Sequence, residues 1–342
     1  MKIGIQKEIR RNETRVALIP DDAKKLVEKG HEVCVMKNAG KDAGFTADDY
    51  RKVGITVCDT VRDCDLVISV KEPDLSKLRS KTTVMAYLHV EKGQNAKLLS
   101  KLKKKKVLSY AFEELRNGSS ERVVNLGFEA GLVGIVEGLR TYGQILEKNG
   151  LDNAFHKLRS AKEYGTKDKI YAEVSKLNYT NNGINVVIMG KGRVSSGVQD
   201  ILKCVRIKPK VLYRKETANI EKYLPEVDIL VNSVDWYPEE PRILNRKSLR
   251  LMKKTALILD ISCDTNGAVE TCIPTSWDDP IYEVDDIYHF CISNLPSAIP
   301  QCASAHLSEM ILPYIMKVAN GEKLKSGMMT RNGHFVYQRV DE

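Results

Sequence analysis

Three residues of this chain have the types needed to hold a carboxylate and move protons: Arg15 in Glu13-Thr14-Arg15-Val16, Lys71 in Val70-Lys71-Glu72-Pro73, and His89 in Tyr87-Leu88-His89-Val90. Arginine offers a planar fork for bidentate carboxylate binding, while burial and mutual charge can tune lysine and histidine toward neutrality. Each alone reads as ordinary surface charge, but all three stand just past an apolar, strand-like run. Asp264, in Asp260-Ile261-Ser262-Cys263-Asp264, also follows such a run, and reads either as a catalytic group facing a cleft or as the Asx-turn residue of its own loop. Glu72 reads as solvated, His306 as structural, and Trp236 with Tyr237 as packing or a lid.

A second constellation is Val186-Val187-Ile188-Met189-Gly190-Lys191-Gly192-Arg193-Val194-Ser195-Ser196-Gly197, an apolar strand entering a glycine turn and then a helix. Gly190 permits the tight turn and Gly192 lets backbone N–H groups approach a pyrophosphate. Arg193 and Val194 open the helix, and Ser195 replaces the third glycine of the dinucleotide pattern. The helix start adds partial positive charge. Where an NAD enzyme ends its second strand in an acid, this chain reads Tyr213-Arg214-Lys215. A carboxylate there would repel a ribose 2′-phosphate, whereas Arg214 and Lys215 attract it, so the expected cofactor is NADP(H).

The elements that must position these residues alternate. Runs at 2–5, 32–36, 66–70, 84–87 and 107–109 read as buried strands, with helical patterns such as 20–29 between them. Further strands are expected at 186–189, 227–232, 256–260 and 289–292, and helices at 125–143 and 303–320. This predicts an α/β chain of two Rossmann-like, doubly wound parallel-sheet domains with a cleft between them. The small residues of 125–143 suggest a tightly packed inter-domain helix. The expected division is a discontinuous substrate domain, 1–124 plus 298–342, and an NADP-binding domain, 125–297.

The 342 residues are 42% hydrophobic and 29% charged, as in a soluble globular protein. The net charge of +9 and the run Lys101, Lys103 to Lys106 raise a nucleic-acid reading, but no zinc-finger spacing or RNA-binding motif accompanies them, and anionic small molecules suit the charge equally. The eight cysteines are scattered with no Cys-x-x-Cys pair and no histidine cluster, so no metal is expected and most should be buried reduced thiols. A strand-like start and the lack of a long apolar run predict a cytoplasmic protein outside the membrane.

Residues 1–20 resemble the N-terminus of alanine dehydrogenases and the related transhydrogenase domain, with Arg15 on the carboxylate-binding arginine and Lys71 and His89 on the superfamily's catalytic lysine and histidine. Arg122 to Gly131, Gly190 to Gly197, Pro241-Arg242-Ile243-Leu244, Asp260 to Asp264 and Asn294-Leu295-Pro296 resemble more closely the lysine-forming saccharopine dehydrogenases and the N5-(carboxyethyl)ornithine synthases. The resemblance implies a reductase that joins an amino acid to a 2-oxo acid through a secondary amine, in a homo-oligomer. Alanine-dehydrogenase-like amination with ammonia is the alternative, and an NADPH-binding regulator without turnover is the rival from another class. Alanine dehydrogenases commonly carry an acid where Arg214 stands, and 149–182 matches neither group.

Overall fold

The computed structural model describes residues 1–93, 95–177 and 183–338. Its strands are β1 (Lys2–Ile5), β2 (Glu32–Met36), β3 (Thr56–Cys58), β4 (Leu66–Ile68), β5 (Thr83–Ala86), β6 (Leu108–Ala111), β7 (Val186–Met189), β8 (Lys210–Leu212), β9 (Ile229–Asn232), β10 (Leu257–Asp260), β11 (Ile281–Val284), β12 (Ile287–Phe290), β13 (Met328–Arg331) and β14 (His334–Phe335). The chain divides into two compact units, Met1–Asn125 with Pro300–Glu342, and Leu126–Ile299.

In the first unit the strand order is β14-β13-β6-β5-β4-β1-β2-β3. The first six strands pair in parallel, and β13 and β14 close one edge antiparallel. Without that edge the order is the 3-2-1-4-5-6 of a doubly wound sheet, which reverses between β1 and β4. Leu66, Val67 and Ile68 are fully buried, as expected of a strand covered on both faces, whose signature is an apolar run and not alternation. The run at 66–70 stops being strand at Ile68 because the N–H groups of Val70 and Lys71 are taken by the Glu8 carboxylate, at 2.6 and 2.9 Å.

The last helix, Pro300–Ala319, starts earlier than the apolar stripe suggested, with Pro300 at its first position. Ser304 and Ser308 on this helix accept the backbone N–H groups of Val16 and Ile19, at 3.0 and 3.1 Å. They fix the segment that carries Arg15. The hairpin of β13 and β14 turns at Asn332-Gly333, both with positive φ, the asparagine-glycine signal of a type I′ turn.

In the second unit the order is β11-β12-β10-β9-β7-β8, parallel except for β11. Omitting β11 leaves 2-1-3-4-5, the other doubly wound order, with its reversal between β7 and β9. The helix Gly127–Lys148, expected to link domains, packs within this unit against the helix Arg193–Cys204. The contact explains its small residues: a Cβ on Gly131 would stand 2.0 Å from the Val194 carbonyl oxygen, and one on Gly197 would stand 2.1 Å from that of Phe128. The polar stretch that follows forms short helical pieces at Ala154–Lys157, Ala161–Tyr164 and Lys167–Val174, and its residues 178–182 lie outside the described residues. Among the described residues no helix is long and apolar enough to cross a membrane.

Candidate active site

The loops leaving the carboxyl ends of β1, β4, β5 and β6 lie at the end of a parallel sheet where doubly wound folds bind ligands, beside the reversal between β1 and β4. They bring together Arg15, Lys71 and His89, and three glutamates that sequence reasoning passed over. Lys71 Nζ lies 3.3 Å from His89 Nε2 and 5.2 Å from the centroid of the Tyr87 ring. The His89 ring stacks on the same ring at 5.9 Å and 11°. His89 sits in the left-handed region, at φ 48°, a conformation that costs energy in a non-glycine residue and has to be held. Glu113 holds it, accepting the N–H groups of Leu88 and His89 at 3.0 and 2.5 Å, with one oxygen 3.8 Å from His89 Nδ1. The imidazole stays 37% exposed, so a small molecule can reach it.

Arg15 is buried, and its Nε and Nη2 bind Glu13 Oε1 and Oε2 at 2.7 and 2.6 Å. One edge of the fork expected to clamp a substrate is therefore filled by the chain's own carboxylate. Glu72 is half-buried and accepts from Asn95 Nδ2 at 3.2 Å, which also reaches the Leu88 carbonyl at 3.3 Å. It is tied to the loop of His89 and not simply solvated.

The electrostatics follow from burial. Lys71 is pushed down to about 8 by desolvation, helped by the charges of Arg15 and Arg10. His89 is held well below its ordinary value by burial and by the Lys71 charge, so it is neutral near pH 7. Burial pushes Glu8 up to about 8, with the charge of Glu13 adding to it. Glu113 rises to about 8 through burial and the neighbouring Glu91. Burial also works to raise Glu13, but the charge and hydrogen bonds of Arg15 prevail and hold it below the usual range. A lysine with access to its neutral form beside a neutral histidine can pass protons in either direction. Glu113 was within reach of sequence reasoning, since it follows β6 as Lys71 follows β4. Glu8 and Glu13 share the Arg15 loop, but no spacing marks them.

In the second unit β7 runs into Gly190-Lys191-Gly192 and the helix Arg193–Cys204, capped by Gly192. Gly190 has φ 96°, and a Cβ there would come within 3.0 Å of Ser233 Oγ, so only glycine fits. A Cβ on Gly192 would meet no atom within 4 Å, and it would fill the space by which a phosphate approaches the backbone. The N–H groups of Arg193, Val194 and Ser195 precede the first intrahelical bond, from Ser196 N to the Gly192 carbonyl at 3.0 Å, and project from the helix start. Ser195 is fully buried, as the small residue packing helix against strand. These residues fit a dinucleotide pyrophosphate.

Past β8, the Arg214 side chain is 95% exposed and 3.5 Å from Glu240. Lys191 stands 5.5 Å over the Tyr213 ring, and Lys215 follows on the exposed side. Glu216, the next acid along the chain, is turned back onto Tyr213 N at 3.0 Å. Asp264 belongs to this unit. It is half-buried, and its backbone carbonyl accepts from Gly267 N at 2.9 Å in a turn of the main chain. Trp236 Nε1 donates to the Pro241 carbonyl at 3.3 Å. His306 is half-buried on the last helix. Of the eight cysteines four are buried and four half-buried, so burial is less complete than composition suggested.

Two doubly wound sheets, a glycine turn open to phosphate and a buried lysine against a part-exposed histidine are the parts of a nicotinamide-dependent oxidoreductase. The family model described as Alanine dehydrogenase/PNT, N-terminal domain, matches residues 4–133, and that described as Alanine dehydrogenase/PNT, C-terminal domain, matches residues 151–338. The chain belongs to the alanine dehydrogenase/PNT family and is, in class, an NAD(P)-dependent amino-acid dehydrogenase. It is 24% identical over 370 aligned positions to alanine dehydrogenase 1 of Staphylococcus aureus, covering 99% of this chain and 94% of the relative. A solved L-alanine dehydrogenase superposes with a TM-score of 0.76 at 25% identity, covering 98% and 97% of the two chains. A transhydrogenase from Sinorhizobium meliloti shares the fold, with a TM-score of 0.71 at 19% identity over 98% and 99%.

Proposed function

We propose that the protein is an NADPH-dependent reductase that condenses the amine of an amino acid with a 2-oxo acid and reduces the imine to a secondary amine, or runs the reverse. The observation that carries this reading is the Lys71–His89 contact of 3.3 Å in a site that brings Lys71 down to about 8. Condensation releases water and needs protons moved twice: off the attacking ammonium as the carbinolamine forms, and onto the departing hydroxyl as it collapses to the imine. Lys71 and His89 serve both transfers, being close enough to exchange a proton. Arg15 binds a substrate carboxylate through the guanidinium edge that Glu13 leaves over, and Asp264 orients the nicotinamide end of the cofactor or an ordered water. When bound, the nicotinamide supplies the hydride that reduces the imine carbon. Gly190, Gly192, Arg193, Val194 and Ser195 hold the pyrophosphate, and Arg214 with Lys215 binds a 2′-phosphate, which makes the cofactor NADP(H).

Alanine-dehydrogenase-like amination with ammonia uses the same proton transfers, and the names of the relatives favour it. NADPH oxidation separates the two readings in a matrix of lysine, ornithine and ammonia against 2-oxoglutarate, pyruvate and glyoxylate, with NADH in parallel. Turnover that requires one amino acid and one oxo acid supports the secondary-amine reading. Turnover with ammonia as the amine moves the protein to the alternative, and cofactor binding with no turnover favours a regulator.

A further inference from the structure

Two cysteines, Cys272 and Cys291, meet one carboxylate in the second unit, with a third, Cys263, beside them. Cys272 Sγ and Cys291 Sγ are 3.0 Å apart and both residues are buried. Asp260, at the end of β10, is buried with them, and its carboxylate oxygen and the two sulfurs lie within 4.8 Å of one another. Cys263 Sγ stands outside that group of three ligand atoms, hydrogen-bonded to Cys291 and 3.2 Å from the Asp260 backbone carbonyl oxygen, from where it turns in as the fourth ligand. The carboxylate is already oriented: Asn232 Nδ2 and Cys263 N donate to Asp260 Oδ1 at 3.0 and 2.9 Å, the kind of outer bonds that fix a metal ligand.

We propose that Asp260, Cys263, Cys272 and Cys291 bind a thiophilic divalent cation in tetrahedral coordination, zinc being the ion their chemistry suits. Zinc–sulfur bonds of about 2.3 Å set tetrahedral sulfurs about 3.8 Å apart, so the Cys272–Cys291 pair opens by less than an ångström. On binding, the three thiols release their protons to solvent. The loaded site then carries the net charge of an ordinary four-cysteine zinc site. All four positions are protein ligands, so the site is structural, and it pins the loop from Asp260 to Asp264.

The test is metal content by elemental mass spectrometry on full-length protein purified under reductant without chelator, beside cobalt(II) titration of metal-stripped protein. The expected result is about one zinc per chain and an intense visible cobalt spectrum of tetrahedral thiolate coordination. The Cys272→Ser/Cys291→Ser variant loses the metal, while Cys34→Ser/Cys64→Ser, which alters the separate contact of 3.4 Å between those two sulfurs in the first unit, retains it. Wild-type protein with no zinc and no thiolate–cobalt spectrum overturns the proposal, as does a Cys272–Cys291 disulfide found by peptide mapping, or zinc lost with Cys34 and Cys64. Because the cobalt titration uses the wild-type chain, a variant that fails to fold leaves the proposal open to refutation.

Discussion

Lys71 Nζ and His89 Nε2 lie 3.3 Å apart above the face of Tyr87, with Glu113 holding the histidine backbone in its left-handed turn. If this pair moves the protons, Lys71→Met and His89→Gln each lower kcat by about 10²–10⁴-fold while the circular dichroism and thermal midpoint stay near wild type. Near wild-type turnover in both folded variants removes the assignment.

The pH profile carries a second expectation. Lys71 loses its proton near pH 8, so a step that needs the neutral amine gains about tenfold per pH unit below that point and levels above it. The acid limb of kcat/KM measured from pH 6 to 9.5 reports the lysine, and it vanishes in any residual activity of Lys71→Met.

Stability shifts with pH through Glu113. Its folded value of about 8 lies above the ordinary 4.5, so its contribution is full below about 4.5 and is lost as pH rises toward 8. Glu113→Gln removes this dependence, and the thermal midpoint of the variant gains on wild type between pH 5 and pH 8. An unchanged gap between the two proteins shows that Glu113 is not held neutral.

Arg15 and Glu13 are both buried and bound by two short hydrogen bonds. Removing one partner strands a buried charge, so Arg15→Met lowers stability by about 3–5 kcal/mol. The double variant Arg15→Met/Glu13→Leu recovers much of the loss. Denaturant unfolding of the two singles and the double gives the coupling, and simple additivity shows that the pair does not act as a unit.

If Arg214 binds a 2′-phosphate, cofactor choice turns on an exposed group. Arg214 is nearly free in solvent, so Arg214→Ala costs little stability but removes a charge-assisted bond worth about 1.5 kcal/mol or more. The KM for NADPH rises by about tenfold or more and that for NADH stays unchanged. Equal effects on both cofactors place Arg214 away from the 2′-phosphate.

The sequence by itself determined the two parallel sheets, because buried strands, helices and the glycine turn are local patterns of four to twenty residues. It marked Lys71 and His89 because each ends an apolar run, but it missed Glu113 at the end of β6, where the same reasoning applied. It missed the asparagine-glycine hairpin at Asn332-Gly333 because the flanking strand β14 is two residues long. Only the tertiary structure decided that the helix Gly127–Lys148 packs against Arg193–Cys204, since that contact rests on Gly131 and Gly197 meeting backbone atoms remote in sequence. It alone showed that Glu13 fills one edge of the Arg15 fork, and that Cys272 and Cys291 meet at Asp260. Desolvation, like-charge crowding and ligand convergence depend on distance through space, and spacing along the chain does not encode them.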